Sequence, residues 1–145
     1  MSKQEIFDIL CGKDKKDIYD KFQEIEASIT ESNELYVYFD DILKLLENGK
    51  TSIRVRSFRL ICQLAKWDKG NKINDNIDII LTELDDEKPT AVRQCLAALN
   101  YMLLFKVELV EKVRKKLVSI DITKYKDSMQ PLIEKDIEGI LKQYY

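Results

Sequence analysis

A four-residue phrase, Thr-Ser-Ile-Arg at 51–54, returns as Thr-Ala-Val-Arg at 90–93, and each copy opens a long apolar pattern at helical spacing. Taking the aliphatic residue of each copy as an anchor exposes a template: apolar residues recur at i+4, i+7 and i+11, one face of an α-helix. It reads Ile18, Phe22, Ile25, Ile29; then Ile53, Ser57, Leu60, Leu64; then Val92, Leu96, Leu99, Leu103; then Met129, Ile133, Ile137, Ile140. The anchors are 35, 39 and 37 residues apart, and only Ser57 breaks the apolar set. Between these stretches lie others with a similar stripe: Leu35, Phe39, Ile42, Leu46; Ile73, Ile77, Ile80, Leu84; and Leu109, Val113, Leu117, Ile120. A shorter opening helix around Ile6 and Leu10 completes the first pair. A hairpin of two such helices cannot bury its own apolar face, so neighbouring hairpins must stack.

The breaks agree with that pairing. Gly12 and Gly49 fall where the first helices of pairs one and two should end, the place of a C′ glycine. Pro89 sits where a second helix should begin, and Pro131 must lie within the first turn of the last one. The expected fold is all-α: one domain over residues 1–145, with hairpins at about 2–30, 33–68, 73–105 and 106–145 wound into a right-handed superhelix.

The stretches Leu84–Leu99, LDDEKPTAVRQCLAAL, and Leu46–Ile61, LENGKTSIRVRSFRLI, place an acidic turn before a Val-Arg or Ile-Arg entry to the second helix. In this the chain resembles the HEAT repeat family of helical solenoids. The resemblance implies that second helices line a concave face and first helices a convex one. It also implies that the entry arginine ties down the acidic turn before it, so Asp85 and Asp86 are expected to serve Arg93. Arg54 has only Glu47 near it in sequence. Both arginines are read as structural, with ligand contact the alternative.

Chemistry is narrowed by what the chain contains. It has no histidine, which removes the commonest general base and metal ligand. No phosphate-binding loop, dinucleotide fingerprint or metal-ligand spacing appears, so neither an enzyme nor a cofactor or metal is expected. Cys11, Cys62 and Cys95 form no CxxC pair and are read as small buried hydrophobes in a reduced, cytoplasmic protein. No stretch is apolar enough to span a membrane.

Charge is banded although the net is only −2: residues 49–72 carry 7 basic side chains against one acid, and 73–91 carry 1 against 6. Arg56, Arg59, Gln63 and Lys66 fall within about 80° of one another around a helix, opposite the Ile53–Leu64 stripe. They form a cationic ridge that can grip phosphates or an acidic peptide. The alternative is a solvated ridge, salt-bridged to the acidic bands beside it. Trp67 closes that helix and either packs a junction between pairs or stacks on a base. A second cluster, Lys112, Arg114, Lys115 and Lys116, is balanced by Glu108 and Glu111 and reads as helix surface.

These residues lead to a non-catalytic module that binds a protein or acidic peptide on its inner surface. The alternative is nucleic-acid binding through the basic ridge. For that alternative the DNA-alkylation-repeat glycosylases, built from HEAT-like hairpins, offer a resemblance in fold alone.

Overall fold

The computed structural model describes residues 1–144, and among them there is no strand. The helices are α1 (Lys3–Leu10), α2 (Lys16–Glu31), α3 (Phe39–Lys44), α4 (Thr51–Leu64), α5 (Lys72–Asp75), α6 (Ile77–Leu81), α7 (Pro89–Phe105), α8 (Val110–Ser119) and α9 (Gln130–Tyr144). Short 3₁₀ turns flank several of them, at 34–38, 45–47, 65–67, 82–85, 107–109 and 122–124. The long helices α2, α4, α7 and α9 pack side by side in that order, and α1, α3 and α8 each pack on the long helix that follows them. For α7 the preceding partner is the 3₁₀ turn at 82–85.

The apolar stripes account for this packing. Phe22, Ile25 and Ile29 of α2, Ile53, Leu60 and Leu64 of α4, and Val92, Leu96, Leu99 and Leu103 of α7 are all buried. Ser57, the one polar residue in the template, is fully buried as well; its hydroxyl donates to the Ile53 carbonyl at 2.8 Å, so burial leaves its proton bonded. Pro89 is the first residue of α7, and Pro131 is the second of α9.

The stripes of the first helices also hold: Leu35, Phe39, Ile42 and Leu46 are buried, as are Ile73, Ile77, Ile80 and Leu84. Their backbones, however, are not continuous helices. The run Leu35-Tyr36-Val37-Tyr38 is rich in aromatic and β-branched side chains that lose rotamer freedom in an α-helix, and it takes the tighter 3₁₀ form. Helices α5 and α6 part at Asn76, whose side chain donates to the Lys72 carbonyl and competes with the main-chain ladder.

Two local expectations are corrected. No glycine among the described residues has a positive φ, so Gly12 and Gly49 are not left-handed caps; the one left-handed residue is Asn71, with φ 56°. Gly12 instead permits close approach, since a Cβ there would lie 2.9 Å from Ile18 Cδ1. Cys62 and Cys95 are buried, but Cys11 is exposed because it sits just past the end of α1.

Candidate functional site

The expected cationic ridge on α4 is present as a row of residues, and each member bonds an acceptor elsewhere in the chain. Arg56 is buried, and its guanidinium donates to the carbonyls of Leu10 (3.0 Å) and Gly12 (2.8 Å) and pairs with Asp14. Arg59 makes a two-point pair with Glu26 at 2.7 and 3.1 Å, reaches Gln94 at 3.2 Å, and lies 5.1 Å from the centre of the Phe22 ring. Gln63 donates to the same Glu26 carboxylate at 2.6 Å. Lys66 donates to the Thr30 carbonyl, and the Trp67 indole N–H to the Ile29 carbonyl, both at 2.6 Å. These five residues therefore form a ladder that binds α4 to α2 and to the α1–α2 turn. The residues expected to bind a partner thus each have an acceptor within the same chain. Trp67 packs at a junction, as one of its two readings had it.

The turn-stabilising residues are present with their partners exchanged. Arg93 does not reach Asp85 or Asp86; it pairs with Asp136 of α9 at 2.7 Å. Asp86 is held by Arg54, at 2.7 Å, and Arg54 also lies 3.4 Å from Glu83 and donates to the Asn48 carbonyl. Asp85 pairs with Lys116 of α8 at 2.6 Å, while Tyr125 donates its hydroxyl proton to the Asp86 carbonyl. The acidic turn is thus fixed by α4 before it and by α8 and the 122–125 segment after it. Arg54 thus ties the Asn48 carbonyl of its own turn to the acidic turn that follows, while Arg93 reaches forward to α9 and leaves the turn before it to other partners.

These pairings shape the charge states. The hydrogen bond that Arg54 donates to Asp86 is the main cause that raises Arg54, opposed by partial burial. Burial pushes the Asp86 carboxyl upward, but bonds from Arg54 and from the Lys88 amide outweigh it and leave it below the usual carboxylate range. Glu83 goes the other way: burial lifts it to about 7, against the nearby Arg54 and with help from Asp86.

Where the same three long helices begin, the surface opens into a groove of about 760 Å³. Its floor is apolar, from Phe22, Val55 and Ala91, and Tyr19 stands exposed at one wall. Around it are Lys15, Lys16, Lys50 and Lys88, the inner edges of Arg56 and Arg59, and the single carboxylate of Asp14, already paired to Arg56. Lys15, Lys50 and Lys88 hold equivalent positions: each is the N-cap of a long helix, of α2, α4 and α7 in turn, and none makes a side-chain capping bond. Lys16, beside them, is engaged with Asp20 at 3.0 Å.

Sequence reasoning did not single out this lysine row, because a lysine before a helix has no signature of its own. A second unforeseen cluster lies at Asp68. Its carboxylate is fully buried, accepts from the Tyr36 hydroxyl at 2.5 Å and from the amides of Lys72 and Ile73, and pairs with the buried Lys106 ammonium at 3.1 Å. Burial pushes Asp68 up, yet these four donors hold it below the usual range, and Tyr36 is lifted to about 12 by burial and by the Asp68 bond. With its oxygens spent on internal donors, Asp68 is a structural knot and not an accessible base.

Among the described residues, no group of three or more acidic or cysteine side chains is arranged to hold a metal ion, and no helix is long and apolar enough to cross a membrane. No protein family, curated protein or solved structure matches the chain. The function is therefore argued from the groove.

Proposed function

We propose that this chain is a non-catalytic interaction module, related to HEAT-like repeats, that receives a protein or peptide segment in the groove between the starts of α2, α4 and α7. The observation that carries this reading is the groove itself: about 760 Å³ of open concavity with an apolar floor and a basic rim. That combination suits a segment whose side chains are partly apolar and partly anionic. The hydroxyls at its edge, Thr51 and Ser52, have no histidine or free carboxylate beside them to act as a base. The side-by-side order of α2, α4, α7 and α9 supports the solenoid relation. Three cysteines without a disulfide among them accord with a cytoplasmic setting.

Nucleic-acid binding by the α4 ridge is the less favoured reading, because Arg56, Arg59 and Lys66 are engaged with α2 and the α1–α2 turn. The test is a random-peptide display selection against the natural chain and against Ser52→Trp, which fills the groove from its edge. Peptides that bind the natural chain and not the filled variant support the module. A selection that yields only binders indifferent to Ser52→Trp sinks it.

A further inference from the structure

Resting on the groove as a peptide site, we propose that its occupant is an extended acidic segment carrying one carboxylate every third residue, read by the row Lys15, Lys50 and Lys88. Three residue choices at the groove are locally unfavourable. An N-cap favours Ser, Thr, Asp or Asn, whose oxygen accepts a free amide of the first turn. A cation there also faces the positive end of the helix dipole. This chain uses the favourable device elsewhere: Ser2 caps α1 by accepting from the Glu5 amide. At the three helices that border the groove it has lysine instead, each without a side-chain capping bond. Among the described residues none of these three ammonium groups comes within ion-pair or hydrogen-bond distance of an internal acceptor, and Lys88 feels only the nearby charge of Asp86, whereas the arginines of α4 are engaged in the fold. Local rules broken together at one concavity, without an internal gain, are expected where a ligand supplies the missing interaction.

The spacing selects the ligand. Neighbouring packed helices lie about 8–10 Å apart, so the three caps form a row roughly 20 Å long. A segment in polyproline II form rises about 3.1 Å per residue with three residues per turn, and therefore shows every third side chain on one face at about 9 Å intervals. Carboxylates at that interval meet one lysine and one helix start each. A single small anion cannot bridge the row. The residues between the carboxylates are left to contact Tyr19 and the Phe22–Val55–Ala91 floor.

The experiment is fluorescence anisotropy at about 50 and 200 mM salt with labelled nine-residue peptides: Glu-Pro-Ser repeated three times, the same residues with the three glutamates contiguous, and a Gln-for-Glu version. A labelled DNA duplex is the fourth probe. The spaced peptide should bind, more weakly at the higher salt, and about tenfold more tightly than the contiguous one. Lys15→Gln, Lys50→Gln and Lys88→Gln should each weaken it about two- to fivefold, and the triple variant at least tenfold. Lys115→Gln, on α8, should change nothing. Aspartate at the same three positions should abolish binding while raising the melting temperature, an opposition that a purely structural role would not produce. Undiminished binding by the triple Gln variant, equal binding of the Gln peptide, or lysine-dependent binding of the duplex in preference to the peptides would each overturn the inference. If display yields groove-dependent binders that are not acidic, the module stands and this inference alone falls; if it yields none, both fall.

Discussion

The two ends of α4 carry the same sign of charge and use it in opposite ways. Along its length Arg56 and Arg59, continued by Gln63, Lys66 and Trp67, bond six acceptor residues of α1, α2 and the turn between them, and Arg56 is buried in doing so. At its start Lys50, with Lys15 and Lys88 on either side, lies at the rim of an open groove, and none of the three is hydrogen-bonded or salt-bridged within the chain. A guanidinium can satisfy several acceptors from one fixed plane, which suits the joint between two helices; an ammonium on a flexible stem suits an exposed rim. Basic residues in a row are thus not one surface. What separates scaffold from candidate site here is whether each cation already has its acceptor.

The comparison breaks most sharply at the buried pairings. Lys106→Met leaves the Asp68 carboxylate buried beside Tyr36 with its cation removed, and should cost about 3–5 kcal/mol in a denaturant unfolding experiment. Arg56→Met strands the Leu10 and Gly12 carbonyls and should cost about 2–4 kcal/mol. If Arg56→Met melts like the natural chain, the arginines of α4 are not holding the helices together and the contrast between the two ends of α4 collapses; if Lys106→Met does, the Asp68 cluster is not a structural knot.

A smaller effect depends on pH. Glu83 takes up its proton more readily folded, at about 7, than unfolded, near 4.5. The stability it contributes is complete below about 4.5 and is lost as the pH rises through 7, a change of about 2–3 kcal/mol. Asp68 and Asp86 are held low in the folded chain, so their contribution is present above about 4 and lost as the pH falls below that. Denaturant midpoints should therefore peak at about pH 4 to 5, and Glu83→Gln should flatten the decline from 5 to 7.5. A decline that persists unchanged in Glu83→Gln would assign it to another group.

The smallest effects sharpen the other half of the comparison. Lys15→Asp, Lys50→Asp and Lys88→Asp each give a long helix a side-chain cap and a favourable charge at its start, and should each stabilise the chain by about 1 kcal/mol. Thermal melts would read this directly. Loss of stability at all three positions would mean that the lysines serve the fold after all.

The sequence by itself determined the helical layout. The 3.6-residue periodicity of apolar side chains is a local property, so the stripes of α2, α4, α7 and α9, and the places of Pro89 and Pro131, could be read without a structure. It also located the buried faces of the first helices, though the 3₁₀ turns and the break at Asn76 depend on local backbone competition that periodicity does not register. The pairing of charges was decided only by tertiary structure. Arg54 and Asp86 are 32 residues apart, Arg59 and Glu26 33, and Arg93 and Asp136 43. Arg93 stands near Asp86 in sequence, yet Arg54 holds that carboxylate, because helix-to-helix register and not sequence distance sets which charges meet. The same register leaves Lys15, Lys50 and Lys88 without a salt bridge or side-chain hydrogen bond. They are far apart in sequence and unremarkable one by one; folding brings the starts of three parallel-packed helices to one groove, and only there do three isolated cations become a row.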